Sequence, residues 1–352
     1  MITNQLRYHC AIPANFNFTV AILTKIWYNI DNTNIIPDLT RFVNRGIRKS
    51  LTFHENGERM RLTDLSTIRE IMSRHGVSFQ KKFGQNFLIN PQVPVKIADA
   101  ACVRPSDKPL GILEIGPGIG TLTRELAERA DKVIALEIDN ALIPILGETL
   151  ADCSNTSVIN QDVMKTDLAE LVEREFLSRG MNISVAANLP YYITTPILMK
   201  LVESRLPFET ITVMIQKEVA QRLTAPAGDS EYGAITAALS YYGKVERLFN
   251  VPAGCFLPAP KVDSAVVRIT LYKEPPVNVI DEETLFKTIR GAFAQRRKTL
   301  SNSLSTEFSH LGKEGIATAI SSSGLELSIR GERLTLEDFA RLADALYNME
   351  HN

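Results

Sequence analysis

The sequence predicts an α/β fold with a parallel sheet covered on both faces, followed by a small all-helical second domain. Three observations predict it. Short β-branched apolar runs alternate with helical patterns through the centre of the chain, without the in-and-out alternation of a half-exposed strand. Glycines or carboxylates stand at the ends of successive runs. Beyond Pro275 and Pro276 the strand pattern stops and helical patterns continue, punctuated by Gly and Ser.

The elements follow in order. Residues 65–75 read as a short amphipathic helix that Gly76 stops. A basic and aromatic loop, FQKKFGQNFLINP, comes next. Asn90 and Pro91 open a helix with Val93, Ile97 and Ala100 on one face. Strands are expected from Gly111 (GILEIG), Lys132 (KVIALEID), Ser157 (SVINQD), Ile183 (ISVAANLPYY) and Thr210 (TITVMIQ). Helices are expected over residues 121–129 and after the fifth strand through Arg222. The stretch RLFNVPAGCFLPAPKVDSAVVRITLY supplies two later strands around a Pro-rich loop. Helical patterns then run over residues 282–308, 313–323 and 336–347.

Residues 1–59 differ from the rest. They are rich in Asn and aromatics, with weak periodicity, and carry Arg41, Arg45, Arg48 and Lys49. They read as a poorly ordered extension or as the product of a misassigned start upstream of Met60, in preference to a basic RNA-binding arm. Asp31, Asp38, Glu55 and Glu58 argue against a mitochondrial presequence.

Composition excludes several function classes. Cys10, Cys102, Cys153 and Cys255 are far apart, without a CxxC pair, and His9, His54, His75, His310 and His351 are equally scattered. Neither a zinc site nor a disulfide framework is expected. The best apolar run, residues 18–30, is broken by Lys25 and Asn29, so no membrane span or signal peptide is expected, and the protein is expected in the cytoplasm. The net charge of −1 gives no sign of a nucleic-acid partner, so any basic surface must be local. Two local clusters exist. Lys81 and Lys82 precede QNFL, and Arg296, Arg297 and Lys298 lie on a predicted helix whose Phe293 packs inward while the charges project. A solvated basic face is the alternative to phosphate contact at both.

Four motifs point to chemistry. EIGPGIG, residues 114–120, joins the first strand to a helix, where glycines let the backbone pass close to a ligand. Its GxGxG spacing and the preceding Glu114 favour a methyl donor over a dinucleotide. Glu137, ending the second strand, is suited to accept ribose hydroxyls. Asp162, after the third, is suited to accept from an adenine amino group. Either carboxylate alone would read as a solvated loop residue; both, after a glycine loop, form a binding edge. The decisive motif is NLPY, residues 188–191, at the end of the fourth strand. It matches the [DN]PP[YF] signature of enzymes that methylate exocyclic amines. The adenine amino lone pair is delocalised into the ring, so the amine is a poor nucleophile. The Asn188 side-chain carbonyl and the Leu189 backbone carbonyl can accept its hydrogens and free the lone pair. Pro190 stiffens the turn, and Tyr191 can stack on the base and favour the charge that develops on nitrogen. Phe256, between Pro-rich turns, can form the second wall of a base sandwich, with core packing as the alternative.

From residue 65 onward the chain resembles the bacterial small-subunit rRNA adenine dimethyltransferase family. GQNFLIN, EIGPGIGTLT, ALEID, INQDV, ANLPYYITTPI, MIQKEVA, EYGAIT, FLPAPKVDSAVVR and FAQRRKTLSNSL occur in that order. The resemblance implies a seven-stranded Rossmann-like class I S-adenosylmethionine-dependent methyltransferase domain, over residues 60–274. It implies a helical RNA-binding domain over residues 277–352. It also implies a metal-free monomer that moves four methyls onto two adjacent adenosines near the 3′ end of 16S rRNA in the small ribosomal subunit. Cofactor contacts carried over by motif are Asn86, Leu88, Gly116, Glu137, Asp162 and Asn188, and the base walls are Tyr191 and Phe256. The rivals are a 23S rRNA methyltransferase of the antibiotic-resistance type, a catalytically silent assembly or transcription factor on the same fold, and a nicotinamide dehydrogenase. FAQRRKTLSNSL argues against the first, intact Asn188, Tyr191 and Glu137 against the second, and NLPY against the third.

Overall fold

The structure, a computed structural model, describes residues 60–77 and 85–351. The expectations for residues 1–59, Lys81 and Lys82 lie outside these.

Helix α1 (Leu65–Arg74) buries Ile68, Ile71 and Met72, and the chain leaves it through Gly76 at a φ of +65°. A two-residue strand β1 (Phe87–Leu88) follows, then α2 (Gln92–Ala101), whose buried face ends on Ala101 rather than Ala100. The alternating core is β2 (Leu110–Ile115), α3 (Thr121–Ala127), β3 (Lys132–Glu137), α4 (Ile143–Thr149), β4 (Thr156–Asn160), α5 (Leu168–Glu175), β5 (Asn182–Asn188), α6 (Thr194–Glu203), β6 (Phe208–Gln216), α7 (Lys217–Leu223) and α8 (Ala234–Tyr242). Then come β7 (Gly243–Val251), β8 (Phe256–Leu257) and β9 (Ser264–Leu271).

Among the described residues, seven strands form one sheet in the order β4-β3-β2-β5-β6-β9-β7. The first five run parallel; β9 alone is reversed, pairing antiparallel with both β6 and β7, so β7 runs in the direction of the first five. The parallel centre is apolar because both faces are covered: every residue of β2 is buried. Strand order reverses between β2 and β5, so a crevice opens beyond their carboxyl ends. β1 and β8 pair separately, with Leu88 opposite Phe256.

The helical segment holds α9 (Glu282–Phe293), α10 (Leu300–Leu304), α11 (Gly312–Ser322) and α12 (Leu336–His351). Its apolar residues Leu285, Ile289, Phe308 and Phe339 belong to the same buried cluster as Leu198, Leu201 and Leu239 of the sheet-covering helices. An aromatic and ionic weld lies at this junction. Phe286 stacks on Tyr242 with centroids 5.5 Å apart, and the Arg205 guanidinium sits 4.6 Å above the Tyr242 ring. Glu282 receives Arg205 at 2.6 Å and the Tyr241 hydroxyl at 2.8 Å.

One helix differs from expectation. The pattern over residues 282–308 breaks at Phe293, and Arg296, Arg297 and Lys298 lie in a turn, not on a helix. The cause is non-local. Gly331 crosses against the Ala292 carbonyl so closely that a Cβ there would stand 2.5 Å from it. Local bonds tighten to Ala294 N to Gly291 O and Lys298 N to Gln295 O, while Ser303 Oγ donates to Gln295 O. Phe293 does pack inward, edge-on to Tyr232 at 5.8 Å. No helix among the described residues is long and apolar enough to cross a membrane.

Candidate active site

The glycine loop begins where β2 ends. Gly116 donates its N–H to Leu136 O at 2.9 Å, tying the loop to β3. Gly116, Gly118 and Gly120 have φ of +70°, +61° and +88°, a left-handed path that favours glycine. A Cβ on Gly116 would meet nothing within 4 Å, so backbone there faces open space.

Two carboxylates lie beneath it. Glu137 Oε1 accepts from Asp139 N at 2.7 Å and Oε2 from Gly118 N at 3.2 Å. Each oxygen keeps a second lone pair for another donor. Burial raises the Glu137 pKa against the pull of these backbone donors. Glu114 is 1% exposed, its Oε2 has no hydrogen-bond partner, and burial pushes its pKa up to about 8. An unpartnered buried carboxylate oxygen bordering a cleft fits a ligand that brings a cation or a strong donor.

The tetrapeptide 188–191 is pinned at the end of β5. Leu189 N donates to Met214 O of β6 at 3.2 Å. Thr194 Oγ1 and Ile193 N both donate to Pro190 O, folding residues 191–193 into a 3-10 turn. Tyr191 is half-buried, and its hydroxyl lies 2.8 Å from Ser264 Oγ. Burial raises its pKa, keeping the phenol neutral. Phe256 is buried, and its segment is fixed by Ile89 N donating to Cys255 O at 2.8 Å.

Asn86, Leu88, Gly116, Glu137, Asn188, Leu189, Pro190, Tyr191 and Phe256 all border one cleft that is open to solvent. Asp162 does not border it. Asp162 Oδ1 accepts from Met164 N at 2.8 Å, and the residue lines a neighbouring polar depression with Lys165 and Arg174. Arg296, Arg297 and Lys298 are all exposed, but Arg296 is tied to a neighbouring segment, donating to Ser230 O at 2.5 Å and Tyr232 O at 3.2 Å. Sequence reasoning missed Ile138 (51% exposed) and Tyr192 (64%), apolar residues at the cleft edge. Both adjoin motif residues, and alternation past Glu137 and Tyr191 was the available signal. Among the described residues no group of three or more His, Cys, Asp or Glu could hold a metal.

The comparisons with known proteins agree with this geometry. The sequence profile described as "Ribosomal RNA adenine dimethylase" matches residues 76–347. The chain belongs to this family. A relative from Shouchella clausii, named ribosomal RNA small subunit methyltransferase A, is 48% identical over 279 residues, covering 79% of this chain and 93% of the relative. One of the same name from Lachnoclostridium phytofermentans is 50% identical over 280 residues, covering 79% and 94%. Among solved structures, a dimethyladenosine transferase from Plasmodium falciparum has a TM-score of 0.58 at 27% identity, covering 72% of this chain and 95% of that one. The 23S rRNA methyltransferase ErmE has a TM-score of 0.57 at 27% identity, covering 74% and 100%. Family and fold make the chain an rRNA-methylating enzyme that uses a methyl donor.

Burial of Glu114 has a consequence for stability. Its pKa of about 8 in the folded protein exceeds the 4.5 of a free carboxyl. Between those values the folded state holds a proton that the unfolded state has lost, so stability falls as pH rises through that window. The loss is on the order of several kcal/mol. Glu114→Gln, with no proton to lose, should therefore have a urea midpoint that drops much less than wild type between pH 5 and pH 9. Parallel curves for the two proteins would show that Glu114 ionises without cost.

Proposed function

We propose that this chain transfers methyl groups from S-adenosylmethionine to the N6 amino groups of two adjacent adenosines in the 3′-terminal hairpin of 16S rRNA, acting in the cytoplasm as a metal-free monomer. The observation that carries this reading is that the pinned Asn188–Tyr191 turn and Phe256 border the same cleft as Glu114, Gly116 and Glu137. When bound, the cofactor supplies an electrophilic methyl on a sulfonium. Glu137 accepts its ribose hydroxyls, Gly116 lets backbone approach, Asn86 and Leu88 flank it, and Glu114 meets its cationic end. Asp162 takes the adenine amino group from the outer margin.

Asn188 and the Leu189 carbonyl accept the hydrogens of the target amine, while Tyr191 and Phe256 hold the base flipped from its stack. No base is needed before attack, because the amine becomes acidic once methylated. Orientation and preorganised acceptors supply most of the acceleration.

The direct test offers both ribosomal subunits, purified from cells lacking the enzyme, with labelled S-adenosylmethionine and chelator, followed by mass spectrometry of the nucleosides. Dimethyladenosine in 16S rRNA alone is the expected result. Label in 23S rRNA alone would move the chain to the antibiotic-resistance type.

The rRNA is gripped by the helical segment 277–352, with Lys81 and Lys82, in the sequence before QNFL, contributing further phosphate contacts. Arg297 and Lys298 are its phosphate contacts, and Arg296 serves by fixing the turn that carries them. Phosphate contacts carry most of the salt dependence of binding. Replacing Arg297 and Lys298 together by Ala should raise KM for subunits and lower the salt slope by about 2, with cofactor affinity unchanged. An unaltered slope in the folded variant would make the turn a solvated face.

A further inference from the structure

Asp263 and Ser264 bond to the segments that carry the two aromatic walls of the cleft. Ser264 is fully buried and opens β9. It is held in register on both sides, opposite Gln216 of β6 and Val251 of β7. Its Oγ meets the Tyr191 hydroxyl at 2.8 Å across 73 residues of sequence. The Tyr191 ring is thus fixed at its backbone end by the 3-10 turn and at its far end by the sheet. Asp263 acts on the other wall. Its Oδ1 accepts from Ala253 N at 3.0 Å, at the start of the turn Ala253–Cys255 that runs directly into Phe256. The Asp263 carbonyl accepts from Lys217 N at 3.0 Å, anchoring the dipeptide to α7.

We infer that Asp263 and Ser264 are positioning residues that set the spacing and tilt of Tyr191 and Phe256, and so the attack angle of the target amine. This rests on the reading of those two rings as the base walls. Neither residue borders the cleft itself. Ser264 is the stronger of the pair, because it is fully buried and its bond is part-buried, whereas Asp263 is exposed. A lost anchor lets the ring swing, and a misplacement of about 1 Å at a reacting centre can cost on the order of a hundredfold in rate.

The test is a double-mutant cycle read as kcat on small subunits, with KM for subunits and cofactor affinity measured in parallel. Ser264→Ala and Tyr191→Phe each remove the same hydrogen bond while leaving the ring. Each should lower kcat by about tenfold to a hundredfold, and the double variant should be no worse than either single one. Cofactor affinity should not change. Asp263→Ala should lower kcat more modestly, and Asp263→Asn, which keeps an acceptor for Ala253 N, should restore it. Multiplicative losses in the double variant, or wild-type kcat in Tyr191→Phe, would overturn the inference. Should Ser264→Ala fail to fold, Tyr191→Phe still decides, because it breaks the bond from the other side. Tyr191→Ala separates the two levels. If it keeps wild-type turnover, the base-wall reading itself falls, whereas its inactivity beside an unaffected Ser264→Ala variant overturns only the positioning role.

Discussion

Asn188→Ala is expected to lower kcat for methyl transfer by at least about 10²–10³-fold, the usual effect of deleting one preorganised polar group aimed at a transition state. The target amine is planar because its lone pair is shared with the ring. Attack on an electrophilic methyl requires that pair to turn out of the plane. Acceptors on the two amine hydrogens favour the turn, and the side-chain carbonyl of Asn188 is one of them. The position suits the task. Asn188 closes β5, with its Cα opposite Met214 of β6, and the next residue donates its N–H to the Met214 carbonyl, so the acceptor stands on rigid sheet. Asn188→Asp keeps an acceptor oxygen and should retain far more activity than the alanine variant. Far-ultraviolet circular dichroism and the urea midpoint should match wild type, since the residue is only half-buried at the strand's end. Single-turnover assays on small subunits measure the effect; near-normal turnover in Asn188→Ala would remove amine activation from the mechanism.

Much of this site was legible in the sequence because its parts are local. Strands β2, β3, β5 and β6 are buried on both faces, so their apolar runs are continuous, and the ligand-facing residues follow at their carboxyl ends. The edge strand β7 was recognised only from Arg247 onward, because its first half is Gly-Lys-Val-Glu with little burial. The turn at residues 294–298 was read as helix because its periodicity continues unbroken, and what stops it is the passage of Gly331 from a distant segment. The same holds at the site. NLPY announces itself within four residues, whereas its bond to Ser264 spans 73. The distinction between Arg296 and its neighbours follows from the carbonyls of Ser230 and Tyr232, which no charge pattern reveals.

Glu137→Ala is expected to weaken S-adenosylmethionine binding by roughly 1.5–3 kcal/mol for each charge-assisted bond lost. With both ribose hydroxyls released, that is on the order of a 10²–10⁴-fold rise in Kd. The loss has two sources. One is direct: a carboxylate accepts from hydroxyls more strongly than a neutral group. The other is organisational, because Glu137 also accepts from Gly118 N and Asp139 N and so holds the glycine loop against the end of β3. Glu137→Gln separates them. Its carbonyl oxygen can satisfy one backbone donor, but its amide NH₂ then points at the other, so the loop keeps half its anchorage and the ribose loses the charge. Affinity should therefore fall in the order wild type, Gln, Ala. Since burial raises the Glu137 pKa, binding that depends on its charge should also weaken as pH falls toward that pKa, and this pH dependence should vanish in both variants. Isothermal titration in chelator, run at several pH values, measures both effects. Equal affinity in wild type and Glu137→Ala would mean that the ribose is held elsewhere along the cleft.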